Sequence, residues 1–365
     1  MAEVLWQRDG TSEKIDDTPM TAERWSVERA WQWYRARPWI VGCNFIPSNA
    51  INQLEMWQEE TFDPETIDRE LGLAQSIGMN SVRTYLHDLA YDADPEGFLS
   101  RIDTFLGLAA ARGITPMLVI FDDCWNADGS LGAQPAPTPG IHNSGWLQSP
   151  LHRHRGPEDR PRLERYVKAV ISRFANDERV LMWDLYNEVG NGTNVDAPGD
   201  RGTGAQSFQL LNEVFDWARE VNPSQPLTSG MWYDFPLINE VLLRRSDIIT
   251  FHNYENPDHL MGHIFGLRAT GRPVICTEWM ARKPGSTVYG CLPVFKKKQV
   301  GCFNWGLVDG KTNTIHAWNT PFPDGEPEVW FHDLFRRDGT PYRESEVALF
   351  KAFTLEAERE LNRAR

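Results

Sequence analysis

The chain has 365 residues, with 37 basic against 51 acidic side chains, a formal net charge of −14 and 41% hydrophobic content. The acidic balance excludes a nucleic-acid binder, which needs basic residues clustered against phosphates, and a protein that docks on anionic lipid. An ordinary hydrophobic share excludes wholesale disorder, and the 15 tryptophans call for an indole-packed core or a cleft that stacks flat faces on a ligand.

Residues 1–37 read as an N-terminal extension with a helix, whose Trp25, Trp31 and Trp33, with Trp39 just beyond, are expected to pack a plug or outer helix. Short apolar runs then alternate with amphipathic stretches. Strands are expected at roughly 40–46, 80–86, 114–121, 179–186, 226–231, 247–252, 273–278 and 300–306. Helical spacing fits 64–78, where Ile67, Leu71, Ala74 and Ile77 share one face, and also 96–113 and 159–175. Gly78 and Gly113 stand where a helix C-terminus is expected. Eight strand–helix repeats predict a single-domain (β/α)8 TIM barrel of the α/β class. An open α/β sheet is the alternative, but the first strand runs into GCNFIP where a G-x-G-x-x-G turn would be needed. The stretch 123–158, rich in Gly, Pro, Asn and Trp, predicts an ordered loop over the barrel mouth. Residues 311–365 are read as a second rim insertion followed by a C-terminal helix.

In such a barrel the chemistry lies at the C-terminal ends of the strands. Strand four ends in Asn187-Glu188 and strand seven in Thr277-Glu278-Trp279. Two glutamates about half a barrel apart face each other across the mouth, the equipment for protonating a glycosidic oxygen and attacking the sugar carbon. The acid of such a pair needs an elevated pKa, from apolar surroundings or the opposing charge, and its partner must stay ionised; with Glu188 as the acid, Arg83 and the Tyr254 hydroxyl would hold Glu278 so. The Asn187 amide would donate to a sugar 2-hydroxyl.

With these elements in order, the sequence resembles a clan A glycoside hydrolase, nearest the family 5 cellulase-like group, over roughly residues 38–310. The resemblance implies Glu188 as acid/base, Glu278 in VICTEW as nucleophile, and retention through a covalent glycosyl-enzyme. It also brings Arg83 in SVRTYL, His252-Asn253-Tyr254 and Trp305 in FNWG into the site. The chain departs from the family pattern at Val189, where Pro is common, and at Asp122-Asp123, where His is common. Spacing alone leaves an inverting gap between the carboxylates open.

Trp125, Trp146, Trp232, Trp279 and Trp305 fall at strand ends or in the long loop and are candidate sugar platforms. Asn44, His87, Asp122, His142 and Asn143 are candidate hydroxyl partners, with loop capping as the alternative for each. A carbohydrate substrate is expected, with no cofactor, no metal, no nucleic acid and no membrane. A homo-oligomer is compatible with the acidic surface. The expected activity is a β-glycosidase, taken as exo-acting because the loop after strand three can close one end of the cleft. Transglycosylation on the same site, a non-catalytic carbohydrate-binding barrel and a metal-dependent isomerase are the rivals; the strand ends offer too few ligands for the last.

Other features carry less. GLVDGKT at 306–312 is one residue short of a phosphate-binding loop, and His152-Arg153-His154 lacks metal-site companions. Lys296-Lys297-Lys298 suits the end of a helix. The N-terminal segment lacks the apolar stretch of a secretory signal, and no run of about 18 apolar residues is present. Five cysteines (Cys43, Cys124, Cys276, Cys291, Cys302), odd in number and without C-x-x-C, fit a reducing compartment. A cytoplasmic location is therefore expected, a trimmed secreted form being the alternative, and Asn191-Gly192-Thr193 is then a chance glycosylation match.

Overall fold

The computed structural model describes residues 23–191, 205–318 and 325–364. Among these, eight parallel strands form one sheet: β1 (Val41–Asn44), β2 (Ser81–Tyr85), β3 (Thr115–Asp122), β4 (Met182–Asn187), β5 (Leu227–Thr228), β6 (Ile249–His252), β7 (Val274–Trp279) and β8 (Gly301–Trp305). Their order, β5-β4-β3-β2-β1-β8-β7-β6, brings the first and last strands side by side. The ring closes between β5 and β6 through Met231, which donates to Thr250 at 3.0 Å and accepts from His252 at 2.8 Å. This is the (β/α)8 barrel the repeat pattern predicts.

The helices are α1 (Val27–Arg35), α2 (Gln53–Trp57), α3 (Pro64–Ser76), α4 (Asp88–Ala93), α5 (Pro95–Ala111), α6 (Arg160–Phe174), α7 (Ala205–Val221), α8 (Pro236–Arg245), α9 (Pro257–Arg268), α10 (Val288–Lys298) and α11 (Glu344–Ala364). Local signals explain several ends. Asp63 and Asp94 accept backbone N–H groups at the starts of α3 and α5, each followed by Pro in the first turn. Gly78 and Gly113 follow the same helices with φ of +79° and +68°, a region that costs an L-residue and not glycine. The lysine run closes α10.

Inside the barrel the layers differ. Ile40, Met117, Leu181, Ile248, Ile275 and Phe303 fill the bottom, where Ala30, Trp33 and Tyr34 of α1 cover them. The tryptophan-rich N-terminal segment is thus a plug: Trp25 donates its backbone N–H to Asp247 at 2.8 Å and Trp39 its indole to Val300 at 2.7 Å. Above this floor lies a buried polar layer centred on Arg83 and Asp184, and above that Tyr85, Trp146 and Trp305 meet at the mouth. The charged groups at mid-barrel are therefore buried but paired, Arg83 with Asp184 and Glu278, the condition under which buried charge is tolerated.

Candidate active site

Backbone irregularities aim the two glutamates. Glu188 stands one residue past β4 with φ of +44°, and Gly190 follows at +82°. A non-glycine residue in that region is strained and is held there by its surroundings. In β7 the register slips: Phe251 pairs with Cys276 but His252 with Glu278, and Cys276 pairs with Cys302 but Trp279 with Asn304. One extra residue in β7 re-aims the end of the strand, as bulges do. Glu278 turns to the mouth, and its neighbour Trp279 turns outward. Trp279 is fully buried in the helix layer, its ring 5.2 Å from Phe295 and 6.3 Å from Phe350. The expectation that it grips sugar is therefore wrong, because adjacent strand residues point to opposite faces.

Glu278 is embedded in donors. Arg83 Nη1 lies 2.7 Å and the Tyr85 hydroxyl 3.0 Å from Oε1, and the Tyr254 hydroxyl lies 2.8 Å from Oε2. Arg83, wholly buried, also reaches Asp184 (3.0 Å), Asn44 Oδ1 (2.8 Å) and Asn187 Oδ1 (2.6 Å). Burial alone would weaken this guanidinium, but Tyr85, Asp184 and Glu278 around it outweigh that and keep it charged.

Glu188 is surrounded differently. His252 Nδ1 is 2.6 Å from Oε1, while Oε2 accepts from the Cys124 thiol at 3.2 Å and from the Asn191 amide. Burial pushes Glu188 up, yet the bond to His252 and its charge, with Cys124 and Asn191, hold it below the usual carboxylate range. Glu278 is the raised member, by burial and by the charge of Glu188 against the pull of His252 and Arg83. This corrects the expectation of a Glu188 raised by apolar surroundings. His252 also lies 3.5 Å from Glu278 Oε2, and one atom each of Glu188, His252 and Glu278 fall within 4.8 Å of one another. At this distance the charge of each glutamate bears on the other. The trio is the one cluster of metal-ligating type among the described residues. Its oxygens already face Arg83, two tyrosines, Cys124 and Asn191, and a cation there would sit against a guanidinium.

A cleft of about 1120 Å³ opens above the pair. Of the predicted residues, Glu188, Glu278, His252, Tyr254, Trp305, Trp125, Trp232, His142 and Asn143 line it. The others do not. Arg83, Asn44, Asn187 and Asp122 form the layer beneath: both amide protons of Asn187 are engaged, by Asp122 at 2.9 Å and Cys124 Sγ at 3.3 Å, so the expected donation to a sugar hydroxyl is already used within the protein. Trp146 backs Trp305, their ring centroids 5.7 Å apart, and gives its indole proton to Asp122 at 2.7 Å. It too is a support rather than a platform. His87 is wholly buried at the start of α4, where its Nδ1 accepts from Leu89 at 3.2 Å; there the capping alternative holds. Cleft residues that the sequence reading did not single out include Cys124, Asn191, Trp318, Asp234, Asn239 and His259. A strand-end search could have reached Cys124, two residues past β3. Trp318 and Asn239 depend on how the rim folds.

The sequence profile of the cellulase group, glycosyl hydrolase family 5, matches residues 46–310. The chain belongs to that family. Family 5 enzymes are retaining glycoside hydrolases, and the close carboxylate pair agrees with that stereochemistry. A mannan endo-1,4-beta-mannosidase A from Podospora anserina is 24% identical over 214 residues, covering 51% of each chain. The chain thus spans about half the length of that curated relative. GH5_18 from Streptomyces cattleya, solved in complex with GlcNAc, superposes with a TM-score of 0.62 at 15% identity, covering 88% of this chain and 80% of that one. The exo-beta-1,4-mannosidase Op5Man5 from Opitutaceae bacterium strain TAV5 gives a TM-score of 0.57 at 19% identity, with 87% and 60% covered. At these identities the structural likenesses establish the fold.

Proposed function

We propose that this chain is an exo-acting β-mannosidase that releases one terminal sugar with retention. The observation that carries the exo reading is a wall. The loop after β3 and the loop after β8 are tied together over one side of the mouth: Asn143 donates its backbone N–H to Thr312 at 2.7 Å, His142 Nδ1 meets His316 O at 2.8 Å, and Asn313 donates to Thr138 at 2.9 Å. Behind them His142, Trp318, Phe331 and His332 pack ring against ring. Burial holds His142 down to about 4, so this wall is neutral and suited to apolar sugar faces. On the opposite side the cleft runs on past Glu188 to Trp232, Asp234, Asn239 and His259. A general acid sits on the leaving-group side. The walled end then takes the single glycone and the open end the aglycone.

In the first step Glu278 attacks the anomeric carbon while Glu188 gives its proton to the departing oxygen. In the second, Glu188 takes a proton from water as that water displaces Glu278 from the sugar. Mannose is favoured by the relatives, several of which are named for mannan or mannosides. All five cysteines are free and buried, which supports a reducing compartment and a small soluble glycoside as substrate.

A matched panel of nitrophenyl β-glycosides and end-labelled manno-oligosaccharides tests this. The expected result is preference for the mannoside and stepwise loss of single sugars, with the β-anomer appearing first. Internal cleavage of a long oligosaccharide overturns the exo reading, and a preferred glucoside overturns the choice of sugar.

A further inference from the structure

Cys124 follows β3, and of the five cysteines it is the one that lines the cleft. Its surroundings are more polar than a packing cysteine needs. The thiol donates to Glu188 Oε2 at 3.2 Å, and the sulfur accepts from Asn187 Nδ2 at 3.3 Å and Asn191 Nδ2 at 3.5 Å. Its backbone N–H is fixed on Asp122 Oδ1 at 2.9 Å. Burial, with Asp122, Glu188 and Glu278 nearby, pushes the thiol well above its usual range, so it stays a neutral donor.

We propose that Cys124 is a positioning residue for the acid/base: its S–H bond to Oε2, polarised by the Asn187 amide, fixes the Glu188 carboxyl and restrains its basicity. The inference rests on the reading of Glu188 as acid/base. One carboxyl must lose its proton to the leaving oxygen and later take one from water, so its affinity for a proton must lie between those demands. The thiol keeps its own proton throughout. Glu188 is faced by His252 and Tyr254 from β6 and beyond, Glu278 from β7, and Asp122 and Cys124 from the end of β3. Arg83 of β2 acts through Glu278, and Asn191 comes from the turn of Glu188 itself. His252 serves Oε1; Cys124 and Asn191 serve Oε2. Loss of the thiol therefore strips one of two donors from one oxygen of the ionised form, and the proton is held more tightly.

The test compares kcat/KM against pH for wild type, Cys124→Ala and Cys124→Ser on nitrophenyl β-mannoside, with Tm measured alongside. A donor to an ionised group, weakened because it is S–H, corresponds to a shift of about one pH unit. Glu188 is the lower-titrating of the two glutamates and so sets the acidic limb; the alanine variant is expected to move that limb upward by that amount, and serine to bring it back toward wild type. An acidic limb that stays in place in the alanine variant overturns the proposal, whatever happens to rate or Tm. Should alanine not fold, Cys124→Val fills the volume without a donor and carries the same expectation. Glu188→Ala, assayed on a dinitrophenyl glycoside with azide, separates the two levels. Recovery of turnover with a β-glycosyl azide product retains Glu188 as acid/base, so an unmoved limb then removes the thiol's role alone. Absence of that product removes the reading beneath it.

Discussion

The two carboxylates sit within 4.8 Å of each other at one atom, yet their surroundings are built on different plans. Glu278 is held by groups that are themselves locked: Arg83 is tied to Asp184, Asn44 and Asn187, and Tyr85 and Tyr254 close the remaining directions. Glu188 is held by His252, Cys124 and Asn191, with no guanidinium or phenol on it among the described residues, and its own backbone is strained. The difference matches what the proposed roles of Glu278 as nucleophile and Glu188 as acid/base demand. A nucleophile needs a fixed direction and a fixed charge, whereas an acid/base must change charge twice per turnover.

The sharpest way to break this comparison is to remove the proposed nucleophile. Glu278→Gln leaves Arg83 in place without the charge, and turnover is expected to fall by roughly a thousandfold or more on every substrate. Near-normal turnover on any of them would show that bond-making happens elsewhere. In kcat/KM, which reports the first step, Glu188→Gln is expected to lose roughly 10²–10⁴-fold on alkyl glycosides, which need the proton, and far less on dinitrophenyl glycosides, whose leaving group does not. An equal loss on both substrates would mean Glu188 shapes the site and does not protonate.

Smaller changes sharpen the contrast. Tyr254→Phe removes one donor from Glu278 Oε2 and is expected to cost roughly 10–100-fold in kcat/KM, the worth of a hydrogen bond to a charged group. The same bond sets the direction of the pH effect. Glu278 is the raised member of the pair and so sets the alkaline limb; losing a donor to its ionised form raises it further, so that limb should move up. If that limb stays put while the rate falls, the tyrosine positions substrate instead.

Much of this site was legible because strand ends are marked in sequence and the family likeness orders them. Glu188, Glu278, His252 and Tyr254 all stand at or just past the end of a strand, whereas Arg83 lies in the middle of β2 and is found by the family likeness. The misplacement of Trp279 was avoidable: once Glu278 faces the mouth, strand alternation sends Trp279 outward. Other residues could not be read. The φ of +67° at Trp125, the slip in β7 and the ties between the loops after β3 and β8 are tertiary facts, set by partners far away in the chain. The short helices α2 and α4 lie below the length at which periodicity speaks. The depth at which Arg83, Asn44, Asn187 and Asp122 lie was also hidden, since spacing gives a residue's face and not its distance below the surface.

A third buried carboxyl gives the comparison a control. Asp333, in the rim segment after β8, has Thr314 on Oδ2 and, among the described residues, no hydrogen-bond partner on Oδ1. Burial pushes it up to about 7, with the charge of Asp309 adding to the effect against Thr314 and Arg282. In the unfolded chain the same carboxyl titrates near 3.8. The folded state therefore binds more protons between those two values, and stability falls as pH rises across that window. Below it both states are protonated and above it both are ionised, so the slope vanishes at each end. Asp333→Asn cannot ionise, so its Tm should gain steadily on that of wild type from about pH 4 to about pH 7 and run parallel to it beyond. A Tm difference that does not change with pH would mean the carboxyl is already ionised in the fold at low pH. Burial would then be too weak to set the charge of a carboxyl in this barrel, and the raised value of Glu278 would need its cause sought in Glu188 alone.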